Sequence, residues 1–99
     1  MLNINKEQDG KKLTILLEGR LDTTTAPALD DELFAVIDGI DELTFDMSKL
    51  EYISSAGLRS LLSAHKKTSG KGGMKIINAS SEVKEIFDIT GFSQILTVV

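Results

Sequence analysis

Cysteine and tryptophan are absent from this 99-residue chain, and histidine and proline occur once each. Without cysteine there is no disulfide framework, no thiolate nucleophile and no cysteine-based zinc site. A hydrolase built on a serine needs a base and an orienting group beside it. The one histidine, His65, falls among Leu58, Leu61 and Leu62 at helical spacing, where it reads as a packing residue at the edge of the core. It also lies ten positions beyond Ser55 on the same predicted helix, about 15 Å away at the standard rise. No apolar run approaches the roughly 20 residues that a membrane-crossing helix needs. The opening stretch MLNINKEQDG lacks the basic-then-apolar layout of a secretory leader.

An excess of positive charge is missing too. Eleven Lys and Arg stand against fifteen Asp and Glu, for a net charge of −4. Duplex nucleic acid requires a concentrated cationic face, so it is not an expected partner. The basic residues that do cluster, Lys66, Lys67, Lys71 and Lys75, read as solvated lysines near a helix C-terminus, where the dipole favours them. Gly70, Gly72 and Gly73 fit neither the GxxxxGK pattern of a phosphate loop nor GxGxxG after a strand. The acids at 30–32, 38, 41 and 42 have no metal-ligand spacing. The chain therefore reads as a non-enzyme with no catalytic residue, cofactor or metal site, cytoplasmic and monomeric.

What is present is the pattern of one small globular domain. A hydrophobic fraction of 41% with 26% charged residues is ordinary for such a chain. Leu2 and Ile4, then Leu13, Ile15 and Leu17, alternate about Asp9-Gly10, which predicts a hairpin whose second strand ends at Gly19. Thr25 is placed to cap a helix with Pro27 in its first turn and Leu29, Leu33, Val36 and Ile37 on one side. ELTFDM alternates as a third strand, with SKLEYI as a connection. A second helix follows from about Ser55 to Thr68. Met74, Ile76 and Ile77 predict a fourth strand. Ser80 and Gly91 bracket a third helix, and QILTVV predicts a last strand. The order β-β-α-β-α-β-α-β implies an α/β fold with a mixed, mostly parallel sheet and an antiparallel edge.

Within this frame EYISSAGLRSLL places two serines at the start of the second helix. Capping alone accounts for them, because a hydroxyl there satisfies a free N–H. The same position also suits a phosphate, since a helix N-terminus accepts an anion without refolding. Ala56 and Gly57 are small, so another protein can approach closely. A phosphoserine adds about −1.5 to −2 charges. Enclosed in an interface without a cation, it costs several kcal/mol of desolvation. A loss of about 4 kcal/mol weakens a nanomolar complex roughly a thousandfold.

FDMSKLEYISSAGLRSLL resembles the central signature of the STAS domain, the family of bacterial anti-sigma factor antagonists. There a strand ending in Asp-x-Ser leads through an apolar-aromatic pair to a Ser-small-Gly-Leu turn. EGRLDTTTAPAL is similar to the family's loop into the first helix, and INASSEVKEIFDITGFSQIL to its third helix and last strand. The resemblance covers nearly the whole chain, with the same order of elements. It implies a single-domain STAS fold over residues 1–99. It also implies a partner-switching protein that binds an anti-sigma factor of the serine-kinase type and so controls sigma-factor-dependent transcription. The kinase would phosphorylate Ser55, and a phosphatase would reverse this. Ser54, Ala56, Gly57 and Arg59 would form the contact surface, with Asp22, Thr23 and Thr24 alongside. Ser54 stands where the best-known signature has an acid. STAS modules also serve as subunits of lipid-transport ATP-binding-cassette permeases and in signalling scaffolds. The alternative implied is docking by the same surface without phosphorylation.

Overall fold

A computed structural model describes residues 2–99. Strands β1 (Leu2–Asp9) and β2 (Lys12–Leu21) form an antiparallel hairpin. Asp9 pairs with Lys12, so the two-residue turn is Gly10-Lys11 and not Asp9-Gly10. Gly10 has φ 61°, the left-handed value that the first position of such a turn requires. The expected stop at Gly19 is not a stop. Strand β2 runs on to Leu21, and Gly19, at φ 109°, adjoins a shift in its pairing with the next strand.

Helix α1 (Ala26–Val36) passes into a 3-10 turn, Ile37–Gly39. Strand β3 (Glu42–Ile53) is twelve residues long, so SKLEYI is strand and not connection. Its pairing with β2 shifts twice, each time with one extra residue on β3. These bulges reset which face each side chain takes. That is why Leu50 and Ile53 are buried while simple alternation fails after Met47. Helix α2 (Ser55–Thr68), strand β4 (Gly73–Ile77) and helix α3 (Ser81–Thr90) follow. The last strand, β5, is only Thr97–Val98. The residues expected before it turn instead, with the N–H groups of Ile95 and Leu96 donating to the Phe92 carbonyl.

The sheet runs β1-β2-β3-β4-β5, with β2 to β5 parallel and β1 antiparallel. One face carries the core. Leu13, Ile15, Leu17, Leu43, Phe45, Met47, Met74 and Ile76 meet Leu29 and Leu33 of α1, Leu58 and Leu61 of α2, and Val83 and Phe87 of α3. The buried stripe of α2 is Gly57, Leu58, Ser60, Leu61, Ala64 and Thr68, while Leu62 and His65 are half-buried at its margin. The alternate strand positions Thr14, Leu16 and Asp46 line an open hollow with Asn5 and Glu7. Because β2 and β3 are parallel, their C-terminal ends and the helices that follow converge at one end of the sheet, the usual place for a site in such folds.

Candidate functional site at the mouth of helix α2

The chain leaves β3 and enters α2 through Ser54, whose backbone is extended at φ −98° and ψ 177°. Its N–H donates to the Leu21 carbonyl at 2.9 Å, which ties the helix mouth to the end of β2. Its Oγ accepts from the Gly57 N–H at 3.5 Å, a long capping bond. Ser54 is half-buried, whereas Ser55, the first residue of α2, is exposed. Ala56 is half-buried and Arg59, one turn on, is exposed.

Gly57 departs from its expected place on the contact surface, because it is buried. A Cβ there would stand 2.7 Å from Leu21 Cγ and 2.9 Å from Ile53 Cγ1. Its missing side chain lets α2 lie directly on the ends of β2 and β3.

Asp22, Thr23 and Thr24 lie beside this mouth, on the loop from β2 to α1. One carboxylate oxygen of Asp22 accepts from the Thr24 N–H at 3.0 Å, the Thr24 hydroxyl at 2.7 Å and the Thr25 N–H at 3.2 Å. The Thr24 hydroxyl is the leading cause that holds this carboxyl below its ordinary range, with the backbone N–H groups adding to it. Thr25 does not cap α1 by its side chain as expected. Its hydroxyl accepts from the Asp22 N–H and donates to the Arg20 carbonyl, both at 2.8 Å. The loop is therefore held from both ends.

Two residues missed by sequence reasoning complete the surroundings. The Arg20 guanidinium stacks 4.6 Å from the centre of the Tyr52 ring, and its Nε lies 3.9 Å from an Asp22 oxygen. Their register pairing on β2 and β3 brings them together. A strand read as ending at Gly19 hid that signal. From Thr23 and Ala56 a groove of about 420 Å³ runs between α1 and α2, past Arg59 and Asp30 to Phe34. Phe34 is 72% exposed, with the Lys67 ammonium 4.0 Å over its ring.

Other candidates lie elsewhere. His65 lines a separate hollow with Glu42 and Lys75, and its Nδ1 is buried without a hydrogen-bond partner. Lys71, expected as a solvated lysine, donates to the carbonyls of Ile40 at 3.0 Å and Ile37 at 3.2 Å. Among the described residues no group of three or more His, Asp or Glu is placed to hold a metal ion. Among them, too, no helix is long and apolar enough to cross a membrane.

Compared with known families, residues 3–99 match the STAS domain. The chain belongs to the STAS domain family. A protein of Bordetella bronchiseptica that carries the provisional name anti-sigma factor antagonist BtrV is 36% identical over 88 residues, covering 87% of this chain and 76% of its own. The anti-sigma-B factor antagonist of Bacillus subtilis is 26% identical over 98 residues, covering 98% of this chain and 90% of that protein. Among solved structures, the anti-sigma factor antagonist SpoIIAA of Bacillus shares the fold in both its forms. Unphosphorylated SpoIIAA superposes with a TM-score of 0.84 at 17% identity, covering 98% of this chain and 88% of its own. The phosphorylated form gives 0.76 at 16% identity, covering 98% and 91%. The STAS relatives are thus named as antagonists of anti-sigma factors, and the α/β order read from the sequence is that of their fold.

Proposed function

We propose that this STAS domain is an anti-sigma factor antagonist whose contact surface is the mouth of α2, switched by phosphorylation of Ser55. The observation that carries the reading is the division of labour between adjacent serines. The Ser54 hydroxyl is engaged as the helix cap, whereas that of Ser55 stands exposed at the first helical position. The unmodified form binds an anti-sigma factor that is itself a serine kinase. That kinase transfers the terminal phosphoryl group of ATP to Ser55 Oγ, releasing ADP, and the hydroxyl proton passes to a base of the kinase. A phosphatase hydrolyses the ester and restores binding. Ala56 and Arg59, with Asp22, Thr23 and Thr24 alongside, meet the partner. The existence of SpoIIAA in two phosphorylation states supports this cycle for the fold. Such a protein works in the cytoplasm as a monomer.

Two measurements test it. Incubation with the cognate kinase and ATP, followed by mass spectrometry, places the phosphate on Ser55, and Ser54→Ala is still modified. In pull-down with the anti-sigma factor, Ser55→Ala binds like the unsubstituted chain. Ser55→Asp loses affinity by about a hundredfold or more, as expected when a charge is enclosed without a partner. Equal affinity of Ser55→Asp and the unsubstituted chain rejects the proposal.

A further inference from the structure

Resting on Ser55 as the modified hydroxyl, a further question is what receives the phosphate. Ser55 and Arg59 are four positions apart on α2, and both are exposed. Side chains so spaced share one helix face, with Cβ atoms about 6 Å apart. A long helical side chain leans back toward the N-terminus and covers the preceding turn. Arg59 lines the groove between α1 and α2, with Ala56 and Thr23 on the side of the helix mouth and Ser60 and Ser63 beyond it. Among the described residues its guanidinium enters no hydrogen bond or ion pair and stacks on no ring. Among the described residues the ion pairs join Lys6 to Glu32, Lys12 to Glu42 and Arg20 to Asp22. Asp30 lines the groove with Arg59 without entering an ion pair. The other arginine at this end, Arg20, is held between Tyr52 and Asp22.

We propose that Arg59 is the internal counter-ion of a phosphate on Ser55. In the unmodified domain its guanidinium stands on the contact surface and meets an acidic side chain of the anti-sigma factor. Once Ser55 carries a phosphate, the guanidinium turns onto it and leaves that partner. A guanidinium fork matches phosphate oxygens in pairs, and the ester brings three of them within one helical turn. The switch then has two parts: an anion appears on the surface, and a cation disappears from it.

The test uses the full chain with phosphoserine built into position 55 by chemical ligation, so the result is independent of any kinase. Phosphorus NMR follows the second ionisation of the phosphate in the unsubstituted chain, in Arg59→Gln and in Arg59→Lys. An adjacent cation favours the dianion, so the pKa lies about half a unit lower in the unsubstituted chain than in Arg59→Gln. Arg59→Lys lies between, and the gap closes at about 1 M salt. Equal values in the unsubstituted chain and Arg59→Gln overturn the pairing. Affinity for the anti-sigma factor is measured in parallel. Before modification Arg59→Gln binds about tenfold more weakly, and phosphate then costs it less than it costs the unsubstituted chain. Losses that simply multiply overturn the withdrawal of Arg59. If phosphate leaves the affinity of the unsubstituted chain unchanged, the antagonist reading of Ser55 fails, while the titration alone still decides the ion pair.

Discussion

Ser54 and Ser55 are chemically identical neighbours, and only the backbone separates their surroundings. The extended conformation of Ser54 turns its hydroxyl onto the Gly57 N–H, while the helical start at Ser55 leaves its hydroxyl exposed. The motif named this pair from residue types alone, but it placed Gly57 on the surface when packing places it inside. A glycine has no side chain from which burial can be read. Its role follows from Leu21 and Ile53, which lie far from each other in sequence and meet beneath it. Gly57→Ala sets two effects against each other. Alanine favours the helix by about 1 kcal/mol, whereas crowding the core costs about 1–3 kcal/mol. The atoms in the way are Leu21 Cγ and Ile53 Cγ1, which are not the free ends of flexible chains, so crowding wins. Urea unfolding is expected to show a net loss of about 1 kcal/mol, and a gain in stability contradicts this packing.

Elements whose ends carry local chemistry were legible. Helix α2 spans Ser55–Thr68 as its pattern predicts. Helix α3 begins at a Ser80 cap, whose hydroxyl accepts from the Val83 N–H at 3.2 Å, and closes on Gly91 at φ 81°. Strands were harder to read, because their length is decided by a neighbour. Half of β3 is strand only because β2 continues beside it, and β5 is short because only two of its residues pair with β4. The lysine cluster shows the same limit. Lys71 sits in a glycine-bordered loop that folds back on the turn after α1, where it donates to the carbonyls of Ile37 and Ile40. Lys71→Met removes both bonds and leaves those carbonyls to water, so a loss of about 1 kcal/mol is expected in thermal or urea unfolding. A fully solvated lysine would show no change.

For the domain as one body, the parallel strands and the covered sheet face hold both loops at the α2 mouth in place. Acid stability belongs to the whole fold, because the carboxylates that set it lie apart, Asp22 in the loop after β2 and Asp46 within β3. Asp22 is held below the ordinary value of 3.8 chiefly by the Thr24 hydroxyl, and Asp46 chiefly by the Ser48 N–H. In each case the folded protein prefers the ionised form. The stability this contributes is complete above the ordinary carboxylate value and is lost as pH falls through the lowered folded value. The melting temperature is expected to decline below about pH 4. The double substitution Asp22→Ala with Asp46→Ala lowers stability near neutrality and makes the acid decline shallower. An unchanged slope would mean that these carboxylates titrate alike in the folded and unfolded chain.

The amino-acid sequence by itself determined the order of elements, the sheet class, the limits of α2 and the family, because periodicity, caps and a contiguous signature are local properties of the chain. The tertiary structure decided which serine is exposed, that Gly57 is buried, that Arg20 meets Tyr52 and that Lys71 is engaged. Each of these depends on segments distant in sequence that come together only when β2 and β3 pair and the helices settle on the sheet. Strand register and packing across the sheet are set by all the contacts at once, and no single stretch of residues encodes them.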